Sequence, residues 1–314
     1  MKYITAMLSR THVVAKTGEH RSELGQWRTT QRLADPRLRA YVHGYFASSS
    51  SLHVAVRERH VPSPEVPLLL NFGAPHRRLD VEGPRGSTAH DGVWVVGLHD
   101  RHQLTKAAGE REFMVVRFTP VGAHLFLGIP MHVIANEAVD LALINPALAR
   151  GLVSRIAAAG SWIDRFAAME ALIAERLTDA EIPAAIGFAW HRLVAADGRI
   201  AIGSLASDAG CSHRTLIARF QTWVGLPPKT VARLLRFNRV LRSLDRLSRT
   251  RPNELVSKPY IEITQADDQP VHAIPWADLA ADCRYVDQAH LIKDFREFAG
   301  STPNAFLRQL SCQG

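Results

Sequence analysis

The sequence predicts an α+β protein. A β-rich, barrel-like N-terminal domain with flanking helices spans residues 1–180, and an all-α domain of two helix-turn-helix units spans 183–314. Three observations lead there. Short apolar runs alternate with turn residues over the first 140 or so positions. The apolar period then changes from two to that of a helix after Pro146. Finally, a segment beginning near residue 205 recurs near residue 279.

The strands come first. Leu52, Val54 and Val56 alternate with His53, Ala55 and Arg57, the pattern of a half-buried strand. Leu68-Leu69-Leu70-Asn71-Phe72 runs into Gly73-Ala74-Pro75, a strand followed by a turn. Val93–Val96 and Phe113–Phe118 read the same way, bounded by Asp91-Gly92 and Pro120. Several short strands with turns between them suggest a barrel or sandwich.

Helical spacing follows. Ser161 with Asp164 three residues on is a loose capping box. Ile163, Phe166, Ile173 and Leu177 then form a stripe that suits packing on the barrel or a helix–helix dimer contact. Pro183 is expected in the first turn of a further helix that carries Ile186, Trp190 and Leu193 on one face. The domain boundary falls at 179–183. Residues 248–275 hold four prolines and mixed polar residues and read as a long loop.

The repeat carries the most information. Leu205–Ala209 matches Leu279–Cys283 and, after one extra residue in the second copy, Ser212–Pro228 matches Asp287–Pro303. Leu216, Phe220 and Trp223 correspond to Leu291, Phe295 and Phe298. Ser212 and Asp287 are N-caps, and Gly225 and Gly300 end the helices. A short helix, a tight turn and a helix buried on one side make a helix-turn-helix.

The opposite stripes are free for a duplex. Arg214, Ala218 and Gln221 occupy it in the first unit, and Ala289, Lys293 and Arg296 in the second. His213, Gln288 and His290 stand near the helix starts, where this motif meets base edges. Arg and Lys donate to guanine, and Gln bonds adenine on two atoms. Ser212, Arg219, Lys229 and Arg233 are expected on phosphates, giving affinity without sequence choice.

Composition agrees. The net charge of the 314 residues is +8, and Ser212–Arg251 alone holds ten basic residues and one acid. A solvated face explains many charge runs, but a stripe of one sign repels itself unless an anion meets it. Three cysteines exclude a disulfide scaffold, and Cys211 and Cys283 fall in the two turns as small buried residues. No apolar run approaches the roughly 18 residues of a membrane span, and the apolar stretch in the first ten residues is too short for a secretory signal, so a cytoplasmic protein is expected.

Residues 183–314 resemble the DNA-binding domain of the AraC/XylS family of bacterial transcription regulators. The likeness lies in Leu279-Ala280, Tyr285, Asp287-Gln288-Ala289-His290-Leu291, Phe295 and Gly300-Ser301-Thr302-Pro303. Asp35-Pro36-Arg37-Leu38, Leu70-Asn71-Phe72-Gly73 and Arg117-Phe118-Thr119-Pro120 look like the N-terminal domain of one subgroup. The resemblance implies a long joining helix from Pro228 and double-stranded DNA held in two successive major grooves. It also implies a sensor or dimerisation role for the N-terminal domain, so that a small-molecule effector and a homodimer are expected, with RNA polymerase as partner if the protein activates. Two departures stand out. Arg284 replaces the usual turn glycine, and the 248–275 connection is long.

Other chemistry finds little footing. Eleven of fifteen histidines lie before residue 133, and His99 and His102 with Glu110 or Glu112 could imitate the metal set of a cupin-like enzyme, the competing class. The cupin spacing is missing, so surface histidines are expected. No phosphate loop, nucleophile elbow or carboxylate pair appears, and no catalytic residue, metal or cofactor is assigned.

Overall fold

The computed structural model describes residues 15–74, 76–79, 88–90, 92–178, 180–247, 260–262 and 274–311. The N-terminal half is one antiparallel sheet. Its main path runs β1 (Lys16–Ser22), β2 (Gly25–Leu33), β3 (Val42–His60), β8 (Gln103–Phe118), β4 (Val66–Asn71), β7 (Val93–Val96) and β9 (Ala138–Asp140). Short strands β5 (His76–Leu79) and β6 (Thr88–His90) pair with each other, and β5 joins β8.

Two strands differ from expectation. Leu52 and Val56 are buried, but Val54 between them is 49% exposed. The register against β8 shifts between Leu52 and Val56, and such a bulge turns a side chain to the other face. Strand β8 begins ten residues before the apolar run at 113–118, because its first half pairs with β3 through polar residues.

The two N-terminal motifs meet. Asp35 caps a short 3-10 turn, Pro36–Leu38, and pairs with Arg37. Thr119 caps α1 (Pro120–Leu127), and its hydroxyl donates to the Ala40 carbonyl at 3.0 Å. Gly122 in α1 lies so close to the Tyr41 carbonyl that a Cβ would collide with it.

Helices α2 (Leu141–Ile144), α3 (Pro146–Ala157) and α4 (Trp162–Arg176) follow. Ser161 caps α4 by accepting from the Asp164 amide. The tail half holds α5 (Ala184–Ala195), α6 (Ile202–Asp208), α7 (His213–Val224), α8 (Pro228–Leu247), α9 (Trp276–Asp282), α10 (Gln288–Ala299) and α11 (Pro303–Ser311). Pro183 precedes α5 as its cap rather than entering its first turn. Within the expected loop at 248–275, β10 (Tyr260–Glu262) pairs with β3, and residues 274–275 lead into α9; the rest of that loop lies outside the described residues.

Apolar packing divides the chain in the middle of α8. One core joins the sheet, α1 and α3–α7 with the first half of α8, up to Leu235. A second gathers Phe237, Leu241 and Leu244 of α8 with Leu279, Leu291, Phe295, Phe298 and Phe306.

Candidate nucleic-acid interface

The two turns are built alike. In the first, the Cys211 amide donates to the Ala206 carbonyl at 3.1 Å and the Gly210 amide to Ser207 at 3.0 Å. In the second, the Tyr285 amide donates to Ala280 at 2.8 Å and the Arg284 amide to Ala281 at 2.9 Å. Gly210 sits at φ +66° and Arg284 at φ +61°. Arg284 therefore takes the left-handed backbone that favours glycine. The extra residue of the second unit, Val286, is 88% exposed.

Both outward helices begin at the expected caps. The Ser212 hydroxyl accepts from the Thr215 amide at 3.1 Å, and the Asp287 carboxylate accepts from the His290 amide at 2.7 Å. Leu216, Phe220 and Val224 bury one face of α7. Leu291, Phe295, Phe298 and Ala299 bury one face of α10. Trp223 departs from the expected stripe. It is half-buried and lies against His124 of α1, ring centroids 4.1 Å apart, while Val224 takes its place in the core.

The opposite faces are uncovered. His213, Arg214, Ala218 and Gln221 are exposed on α7, and Gln288, Ala289, Lys293 and Arg296 on α10. Arg219 and Lys229 are exposed beside the first face. His290 is half-buried, with its ring edge-on to Tyr285 at 5.3 Å. Ser212 is exposed, with its hydroxyl occupied by the cap.

Arg233 has a different task from the expected phosphate contact. Its guanidinium donates to the fully buried Asp294 at 2.7 Å and contacts Glu297, clamping α8 to α10. Its hydrogen bond to Glu297 raises its own pKa and holds the Glu297 carboxyl below the usual range. Arg239 and Arg242 both donate to Asp197, at 2.6 and 2.7 Å. Three of the ten basic residues of the run are thus paired with acids from distant elements. Nothing near the run in sequence signals these partners.

Each unit touches the N-terminal half separately. Gly225, at the end of α7, approaches Met131 in the 3-10 turn Met131–Val133. Arg59 of β3 donates to the Ala299 carbonyl at 2.6 Å, Asn238 donates to Pro62, and His102 lies against Gly300.

The candidate metal pair is otherwise engaged. His99 is buried, not on the surface, and its ring bonds the Gly97 carbonyl and the Gln103 amide. Glu110 accepts from Ser51, and Glu112 pairs with Arg165. Among the described residues no three His, Cys, Asp or Glu side chains gather as metal ligands, and no helix is long and apolar enough to cross a membrane. Cys283 is buried and burial pushes its thiol pKa up, whereas Cys211 is only half-buried.

Residues 30–140 match the family model described as a domain of unknown function, DUF6597. Among curated proteins none matches. Among solved structures, ToxT from Vibrio cholerae O395 is similar at 9% identity, covering 92% of this chain and 99% of that one, with a TM-score of 0.42. Unsaturated-fatty-acid-bound ToxT from Vibrio cholerae strain SCE256 is similar at 8% identity, with 82% and 92% covered and a TM-score of 0.41. FeII HppE is similar over 35% of this chain and 59% of that one, at 8% identity and a TM-score of 0.27.

Proposed function

We propose that the chain is a sequence-specific, DNA-binding transcription regulator of the AraC/XylS type. The observation that carries this reading is the duplicated helix-turn-helix whose two outer stripes both stay uncovered. In this reading His213, Arg214 and Gln221 of α7, with Gln288, Lys293 and Arg296 of α10, meet base edges. Arg219 and Lys229 meet phosphates. His290, turned onto Tyr285, braces the start of α10 as well as facing outward. Arg233 leaves the phosphate set, because two carboxylates already hold it. The N-terminal half is the sensor through which a small-molecule signal acts, since it grips the two units at separate places and can bias their DNA-competent arrangement.

The test is selection of bound duplexes from genomic fragments, followed by titration over salt. Wild-type protein is expected to enrich a defined sequence and to lose affinity linearly on a log–log salt scale. Arg214→Ala should relax preference at particular base pairs, and Lys229→Ala should flatten the salt slope by about 0.9. No enrichment at low salt overturns the reading.

A further inference from the structure

We propose that an open groove between the turn after α5, the middle of α8 and the turn of the second unit is a phosphate-binding site, filled by the sugar–phosphate backbone of the duplex that both outer faces hold. This rests on the regulator reading above. The groove measures about 610 Å³ and is lined by Ala196, Gly198, Arg199, Ile200, Arg236 and Arg284. Three of these six are arginines and none is acidic. They come from three places in the chain: the turn after α5, the middle of α8 and the turn between α9 and α10.

The arginines of α8 divide into two kinds. Arg239 and Arg242 are neutralised by Asp197. Arg236 has no carboxylate partner among the described residues; its Nη1 donates to the Gly198 carbonyl at 3.0 Å, which fixes its head at the groove. Arg199 folds back on its own turn, Nε donating to Ala196 at 2.8 Å, and makes no ion pair among the described residues. Arg284 makes none either. Three arginines line the groove, and the one acid in its lining turn, Asp197, is already taken by Arg239 and Arg242; each guanidinium presents a fork that fits phosphate oxygens.

Arg284 adds an independent argument. Its turn repeats the hydrogen bonds of the Gly210 turn, at nearly the same positive φ. A position built for glycine holds a long cationic side chain at a conformational cost. Strain kept in this way points to a task for the side chain. Arg284 also stands three residues before Asp287, the cap of the outward helix α10. A phosphate bound there would fix the register of that helix in its groove. A groove open to solvent suits a chain passing through it better than an enclosed small ion.

Duplex binding over a salt series, with melting curves for every variant, tests the proposal. Arg284→Gly and Arg199→Gln should each flatten the log–log slope by about 0.9, select the same sequence as wild type and melt no lower than it. For Arg284→Gly the melting temperature should equal or exceed the wild-type value, so lost binding cannot be ascribed to misfolding. Arg155→Gln, an exposed control on α3, should leave the slope unchanged. Wild-type binding with unchanged slopes in the two groove variants overturns the groove and leaves the regulator reading standing. If inorganic pyrophosphate raises the melting temperature of wild type but not of Arg284→Gly, while the duplex slopes stay equal, the groove takes free phosphate and the backbone assignment falls. Failure of wild type to bind any duplex removes the regulator reading and this inference with it.

Discussion

The first helix-turn-helix unit turns on Gly210 and shares its apolar core with the sheet, whereas the second turns on Arg284 and keeps a core of its own with the end of α8. The same local recipe thus serves two different attachments. The first unit is an extension of the N-terminal half. The second hangs from α8 through the Arg233 clamp and from β3 through the Arg59 bond to Ala299. A signal in the N-terminal half would reach the first unit through a shared core, and the second through Val61, which packs on its core, and a few polar contacts.

Core truncation should separate the two most sharply. Phe220 and Phe295 are both fully buried at equivalent positions. Replacing either with Ala should cost about 3–5 kcal/mol. Phe295→Ala should raise hydrogen exchange chiefly over 276–311, while Phe220→Ala should raise it in α1 and α5 as well. Equal exchange patterns in the two variants would erase the distinction between a shared and a private core.

The next effect belongs to the clamp. Arg233→Met leaves Asp294 buried without its cation, at a cost of about 3 kcal/mol. The loss should appear as exchange in α10 and the α8 segment beside it. Arg233→Met combined with Asp294→Leu should recover most of it. Acid should mimic the single change. Arg233 holds the Glu297 carboxyl below its ordinary 4.5, so its share of the stability is full above that value and fades as pH falls through the lowered one. Melting of wild type against Arg233→Met between pH 6 and 3 reads this as a shrinking difference.

How much of this was legible follows from contact range. The repeat was visible because its caps, stripes and terminators are set by neighbours within about a turn of helix. The outer stripes followed by subtraction. Val54 was misplaced because the bulge depends on the partner strand. The first half of β8 is hidden in the sequence, since Thr105, Lys106, Ala107 and Ala108 alternate in burial but not in polarity. Trp223 read as core because it fits helical spacing, and its real neighbour, His124, lies 99 positions earlier. The partners of Arg233, Arg239 and Arg242 are 42 to 64 residues away, so a run of one sign in sequence became partly neutral in space.

A smaller effect exchanges the turns. Gly210→Ala should destabilise the first unit by about 1 kcal/mol, wholly through the backbone, because a Cβ there meets no atom within 4 Å. Arg284→Gly should stabilise the second by a similar amount. Opposite signs in the two melting shifts would show that one turn geometry is required in both units, and equal signs would show that the second turn has adapted to its arginine.

The smallest expected effect probes the docking of the first unit alone. His124 lies tilted against Trp223, its Nδ1 donates to the Ile129 carbonyl, and burial lowers its pKa from the ordinary 6.5. The folded chain therefore binds this proton less readily than the unfolded chain does. Stability from this contact is full above about pH 6.5 and is lost as pH falls toward the lowered value. His124→Phe keeps a ring against Trp223 and removes the titration. The melting difference between wild type and His124→Phe should therefore shift against wild type from pH 7.5 to 5.5. A pH shift confined to α7 and α1 in hydrogen exchange would make the first unit the acid-sensitive one, and a shift spread equally over α10 would mean that the two attachments are coupled.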